Sequence, residues 1–358
     1  MRITIIKNDI LSAIRDIDLY LSYGGAYMEL IQTINCGNDF SLLDSQLLKI
    51  MDSNISGIRL NLNKYNQNSE VDSLSRLIEI ISKYKQRYKF LYDLPFPYNK
   101  TRILEYKITG DVIKKGKIYT VYFNRNDFIK AQENAVLLSK PKNSYNNSEV
   151  IYYGDGQGAF DVVKESRDKV VLKALCDFHI YNRKGITYGK GKINDKIEPV
   201  LKKIGDICSP LDYGCALSLV EDDQDISSFI NLIGKKLQLV SKIETNESIT
   251  NLEKIVEKSD GIMLARGDLA LLNPYYNLFQ ILEAIIRTAK KSYKSVYMAT
   301  DILQSMDCGR YVPSRSDIID LSVACRWGCD YVILGYHPDT EILERKINAA
   351  DKICSEFK

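Results

Sequence analysis

The sequence predicts an α/β chain, a TIM (β/α)8 barrel with a small all-β domain inserted after the third barrel strand. Three observations carry this expectation. Residues 237–268 read LQLVSKIETNESITNLEKIVEKSDGIMLARGD, an apolar run, a helical stretch and a second apolar run, as in a strand–helix–strand unit. Residues 103–190 change character, with short alternating strands punctuated by turn residues and a polar tract over 140–147. The length of 358 residues suits a barrel of about 250 residues plus one inserted module. The expected domains are therefore 1–102 with 191–358 as barrel, and 103–190 as a β lid.

In chain order, Ile10, Leu11, Ile14 and Ile17 line one face of a short helix over 8–20, with Asn8 as its N-cap. A first strand over 28–34 precedes a helix over 40–51, and a second strand over 57–62 precedes a helix over 71–83. The third strand over 89–92 leads to the insertion, whose expected strands are 117–123, 150–153, 160–163, 169–176 and 178–182. A helix over 197–207 returns to the barrel, and strand four covers 213–220. After the opening 237–268 unit come a helix over 278–290, strand seven over 295–299, a helix over 318–327, strand eight over 331–334 and a last helix over 341–353.

Hydrophobic residues make up 45% of the chain, enough for a core, and a net charge of +3 calls for neither nucleic acid nor an acidic membrane surface. Eight cysteines form no CxxC pair, and with two histidines a zinc site is not expected; free thiols in a reducing cytoplasm are. Asp9 and Asp16 interrupt the N-terminal apolar pattern, against a signal peptide or a membrane span. The run 110–117, GDVIKKGK, has one residue too many between its glycines for a P-loop, and Gly154-x-Gly156-x-Gly158 opens no helix, as a dinucleotide fingerprint would.

The chemistry collects at strand ends. Lys242 and Glu244 close one strand of the 237–268 unit, and Arg266 and Asp268 close the other. Parallel α/β folds bind ligands at that end of their strands. Glu244 and Asp268 could hold one hard divalent cation through oxygen, with Lys242 adding positive charge beside it. Such a site suits an anionic substrate whose charge grows in the transition state. Solvated strand-end loops are the other reading of the same residues.

The wording SKIE at 241–244, followed by DGIMLARGDL at 260–269, resembles the pyruvate kinase family. Further stretches are similar to it: Arg59-x-Asn61 with Asn63 and Lys64 to RxNFSH, Asp93 to DTKGPxxR, and Ala299–Met306 to ATQMLESM. Pro313–Asp317 resembles PTRAE, while Asp155-Gly156 and Asn182–Gly185 resemble two signatures of the family's lid. The resemblance implies phosphoryl transfer between phosphoenolpyruvate/pyruvate and ADP/ATP or an altered acceptor. It implies Mg2+ or Mn2+ on Glu244 and Asp268, and K+ on Asn61, Asn63 and Asp93. Lys242, Arg59 and Thr300 would act in catalysis. Ser218, Arg266, Gly267, Arg102, Lys184 and Asp155 would bind substrate, Arg102 being preferred to Lys100 by assuming a short insertion after Pro97. Departures on the acceptor side are Lys64 for histidine, the acidic Glu221-Asp222-Asp223 for basic residues and the changes after Asp93; elsewhere Asp301 replaces glutamine, and the 335–339 loop has no glutamate. A metal-dependent pyruvate lyase or aldolase, or an inactive binding subunit, are the rival expectations. The family's C-terminal regulatory domain has no counterpart here, so activation by sugar phosphates is not expected, and the oligomeric state stays open.

Overall fold

A computed structural model describes residues 28–35, 40–50, 52–62, 71–139, 141–143, 150–182, 184–191, 201–202, 204–206, 211–233 and 237–357. The helix expected over 8–20, most of that over 197–207, and Cys36, Asn63, Lys64 and Arg183 lie outside them.

Eight parallel strands close into a barrel. They are β1 (Glu29–Asn35), β2 (Gly57–Asn61) and β3 (Lys89–Pro97), then, after ten intervening strands, β14 (Gly214–Ser218), β15 (Leu239–Ile243), β16 (Gly261–Ala265), β17 (Ser295–Ala299) and β18 (Tyr331–Leu334). Their order around the ring is β1-β18-β17-β16-β15-β14-β3-β2, and β2 pairs back to β1. Helices such as Val71–Tyr84, Leu278–Lys291, Arg315–Arg326 and Thr340–Ser355 pack outside. The expected barrel helices appear within a few residues of their sequence bounds. One exception is the helical stretch within 237–268, which breaks at Asn251 into Asn246–Thr250 and Leu252–Lys258.

Both faces of a barrel strand are covered, so its sequence is nearly all apolar, and period two decides which residues face in. Ile58, Leu60, Phe90, Tyr92, Leu217 and Leu264 join the core between strands and helices. Ile31, Leu91, Ala216, Val240 and Met263 fill the barrel interior. One inward step further along each strand the residue is Thr33, Asp93, Ser218, Lys242 or Ala265. The interior therefore changes from apolar to largely polar within one layer, with Asp93 and Lys242 charged, and that layer lies at the C-terminal mouth. At the opposite end the ring of Tyr331 stacks on Tyr297 with centroids 4.4 Å apart and meets Tyr213 edge-on at 4.9 Å. The Tyr213 hydroxyl donates to the Glu29 carboxylate. These rings close the bottom of the barrel.

The ten intervening strands form a separate sheet, between β3 and β14, and a small two-stranded ribbon. The sheet contains β4 (Asn99–Lys107), β6 (Ile118–Tyr122), β7 (Ala135–Leu138), β8 (Pro141–Asn143), β9 (Val150–Tyr153), β10 (Gly158–Glu165), β11 (Lys169–Ala174) and β13 (Gly185–Gly191). Its core is mostly aliphatic around an aromatic cluster, in which the Phe160 ring meets Phe178 at 5.3 Å and Tyr119 at 6.2 Å. The sheet begins at Asn99, not 103, because β4 continues directly from β3 and pairs with β13. β4 reads NKTRILEYK, and its charged outer face hides its strand periodicity; β7, β8 and β13 also escaped the sequence reading. Among the described residues no helix is long and apolar enough to cross a membrane.

Gly214 opens β14 with φ +91°, and a Cβ there would lie 2.0 Å from the Gln238 carbonyl oxygen. Gly214→Ala combines left-handed strain with a backbone clash, so it should destabilise the fold by about 2–3 kcal/mol. Urea denaturation measures this, and an unchanged midpoint would contradict the stated geometry.

Candidate active site

Lys242, at the end of β15, is 6% exposed. Its Nζ lies 3.0 Å from Ser218 Oγ, 3.3 Å from Asp93 Oδ1 and 3.2 Å from Glu244 Oε1. Ser218 in turn donates to the Leu94 carbonyl at 2.7 Å. Arg59 on β2 approaches Asp93 from the other side: its Nε lies 2.9 Å from Asp93 Oδ2, its Nη2 donates to the same oxygen, and its Nη1 reaches Thr33 Oγ1 at 3.1 Å. Asp93 is 0% exposed, yet its carboxyl is held below the usual range. Burial works against the charge, and Lys242 and Arg59 outweigh it.

Glu244 follows β15 and is 3% exposed. Its Oε2 accepts the Leu219 amide at 2.6 Å, a contact made possible by the turn of Leu219 to φ 55° where β14 ends. Burial pushes the Glu244 carboxyl up. Lys242 offsets part of this, and neighbouring Asp268 adds to it. Asp268 lies in the first turn of the helix Arg266–Leu272, where the helix end favours a carboxylate. Its Oδ2 is 2.5 Å from Lys100 Nζ.

The sequence reading preferred Arg102 to Lys100 as the counterpart of the family's arginine, and it is Lys100 that meets Asp268. Counted without a gap from Asp93, the DTKGPxxR pattern puts Pro97 and Lys100 in register, and no insertion is needed. Arg102 stands two residues on, on the same face of β4, where burial pulls its guanidinium below the usual value and nearby Asp268 and Asp155 offset part of this.

The loop after β17 is strained. Thr300, Asp301 and Leu303 have φ of 73°, 57° and 54°, which side-chain-bearing residues rarely adopt. Arg266 holds it: Nε donates to the Ala299 carbonyl at 3.0 Å, Nη2 to the Thr300 carbonyl, and Nη1 to Asp320. Arg266 was expected to bind substrate; its guanidinium is engaged with this loop and with Asp320. Lys346, fully buried on the last helix, grips the loop's far end through Asp307 at 2.7 Å and 2.8 Å. Neither Asp320 nor Lys346 carried a sequence signal, because each acts through residues distant in the chain.

Asp155 and Lys184 come from the inserted sheet and lie 3.4 Å apart. A Cβ on Gly267 would sit 3.1 Å from Thr300 Cγ2 and 3.7 Å from Asp155 Oδ1, so the sheet reaches the barrel mouth at Gly267. Asp155 also helps burial raise the Asp301 carboxyl. The acidic run after β14, a departure from the family's basic residues, leads into the helix Asp223–Ile233. Asp222 Oδ1 accepts the Gln224 and Asp225 amides at 2.9 Å and 3.0 Å, and Asp223 pairs with Lys258 at 2.7 Å. Asn61, opposite Asp93 on β2, has a buried Oδ1 without a hydrogen-bond partner among the described residues, and Asn63 lies outside them.

Fold and mouth define a (β/α)8 barrel whose C-terminal face gathers alternating cations and carboxylates from neighbouring strands. Residues 29–338 match the family described as pyruvate kinase, barrel domain, and the chain belongs to that family. It is 27% identical over 329 residues to the pyruvate kinase of Thermotoga maritima, covering 87% of this chain and 68% of that protein. The pyruvate kinase of Buchnera aphidicola is 27% identical over 328 residues, with the same two coverages of 87% and 68%. That of Methylorubrum extorquens is 28% identical over 276 residues, covering 74% of this chain and 55% of that protein. The chain thus spans little more than half to two thirds of the length of these relatives.

Glu244 gives a stability prediction. Its folded pKa lies above the unfolded value near 4.5, so the folded state binds the extra proton, and stability falls as pH rises from there toward the folded pKa. Glu244→Gln removes that cost. With chelator present at about pH 8, the variant should melt above the wild type, the difference closing as pH falls toward about 4.5. Calorimetry at several pH values reads the trend, and a variant that melts lower at the upper pH would refute it.

Proposed function

We propose that this chain is a pyruvate kinase-like phosphotransferase, moving a phosphoryl group between phosphoenolpyruvate and ADP or another acceptor. Family membership supports the class. The observation that carries the reading is Lys242, a buried ammonium set among Asp93, Ser218 and Glu244 with the Arg59 guanidinium one carboxylate away. Phosphoryl transfer asks for positioning and for positive charge where negative charge moves, more than for covalent chemistry.

In this reading Arg59 and Lys242 hold the phosphoryl group as its bond to the enol oxygen breaks and a bond to the acceptor oxygen forms. Ser218 and the Gly267 backbone line the carboxylate pocket. Thr300 stands near the enol carbon that then takes up a proton, with water as the donor. Arg266 keeps the Thr300 turn in place. Asp155, Lys184 and Arg102 face the cleft, and the inserted sheet serves as its lid.

Glu244 and Asp268 fit a hard divalent cation such as Mg2+ or Mn2+: both are carboxylates, and they are close enough that Asp268 raises Glu244. A divalent ion bound there supplies Lewis-acid stabilisation of the enolate. Asn61, with its orphaned Oδ1, and Asp93 fit a K+ ion as oxygen donors, and Asn63 would join them. A cytoplasmic setting suits these substrates.

Two variants test this. Asp268→Ala should abolish or greatly weaken Mn2+ binding in calorimetry, since one carboxylate leaves too few hard ligands. Lys242→Met should lose pyruvate release from phosphoenolpyruvate by about 10²-fold or more while keeping metal-dependent exchange of pyruvate methyl protons with solvent. Parallel loss of both activities, or a wild type that releases no pyruvate with any acceptor, would sink the kinase reading and favour a metal-dependent pyruvate lyase.

A further inference from the structure

Lys100 sits where the barrel hands over to the inserted sheet. It is the second residue of β4, which continues from β3, and its backbone pairs with Lys190 on β13, the strand that returns. Its ammonium extends away from this two-stranded link to Asp268 Oδ2 at 2.5 Å. The Asp268 side chain is only 10% exposed, against 32% for that of Lys100, so the contact is made inside the cleft. Glu244 and Asp155 also favour the charged ammonium, and together with Asp268 they more than offset its burial. Lys100, Gly154, Gly185, Leu219, Asp268 and Leu272 line one crevice between sheet and barrel. The hairpin tip that closes over it rests on the barrel: a Cβ on Gly156 would lie 3.3 Å from Leu271 Cδ2.

We propose that Lys100 is a tethered counter-cation of Asp268 that competes with the divalent ion for this carboxylate, so that metal binding releases the inserted sheet at its β4–β13 link. The inference rests on the metal seat proposed above. A partly exposed single ion pair contributes little to global stability, so its structural effect is local, in how the sheet rests on the mouth. Its effect on a doubly charged ion is larger. An ammonium on one of only two protein ligands both neutralises a ligand and repels the ion across a few ångströms of poorly screened space. Because Lys100 belongs to the link itself, moving it away from Asp268 loosens the hold of the sheet on the barrel mouth.

The test measures Mn2+ binding to the full chain by electron paramagnetic resonance at constant ionic strength, without substrate, alongside amide hydrogen exchange of residues 154–158. Lys100→Met keeps the aliphatic stem and removes the charge. It should bind Mn2+ about tenfold more tightly or better. Its 154–158 exchange should already be raised before any ion is added, whereas in the wild type Mn2+ should raise it. Lys100→Arg keeps the charge and should track the wild type. Equal or weaker Mn2+ binding by Lys100→Met overturns the proposal, as does wild-type exchange that Mn2+ leaves unaltered. If instead Asp268→Ala binds Mn2+ like the wild type, the metal seat itself is wrong, a failure distinct from that of Lys100.

Discussion

The contact of Lys242 with Asp93, Glu244 and Ser218 is the constraint on which the barrel mouth depends. A buried ammonium is tolerated only when it is paired and hydrogen-bonded, and here three neighbouring strands converge to do so. Asp93 contributes from β3, Ser218 from β14, and Lys242 and Glu244 from the end of β15. Arg59 then shares Asp93 from β2. If any member shifted by one residue in register, its side chain would point into the outer core, since period two swaps faces at every step. The network therefore pins the strand register of half the barrel, and the barrel keeps the charges together against their desolvation cost.

The two buried carboxylates of that network respond in opposite directions, and the reason is geometric. Asp93 lies between two cations and stays charged despite complete burial. Glu244 has one close cation, a backbone amide and a second carboxylate nearby, so burial prevails. Environments that separate like groups in this way often mark functional sites, because they make one carboxylate a fixed charge and leave the other responsive to a cation. The strained Thr300 turn adds to this. Arg266 and Lys346 hold it from opposite ends, which is the kind of surrounding over-determination that lets unfavourable backbone persist.

Much of the site was legible in the chain because its residues sit at strand ends, one inward step beyond an apolar interior residue. Asp93, Ser218 and Lys242 follow that rule, Arg59 lies near the end of β2, Glu244 stands one further step beyond Lys242, and the structure brings all five into one network. Residues that act sideways were not legible. Arg266 looks in sequence like another strand-end cation, and only its contacts with Ala299, Thr300 and Asp320 show it turned toward the neighbouring strand's loop. The acidic 221–223 run looks like a charged rim, whereas Asp222 serves as a helix cap, which side-chain type alone cannot distinguish from a solvated carboxylate.

By itself the sequence determined the alternation of strands and helices, the presence of a β insertion, and the strand-end charges that mark the mouth. All of these are local, set by apolar periodicity and by residue type at fixed offsets. Tertiary structure alone decided which charges pair. Lys100 meets Asp268 across 168 positions of chain only because β4 extends β3 over the mouth, and Lys346 grips Asp307 only because the last helix packs beneath the loop. Ion pairing depends on distance in space and on desolvation, and neither is encoded in the spacing of residues along one strand.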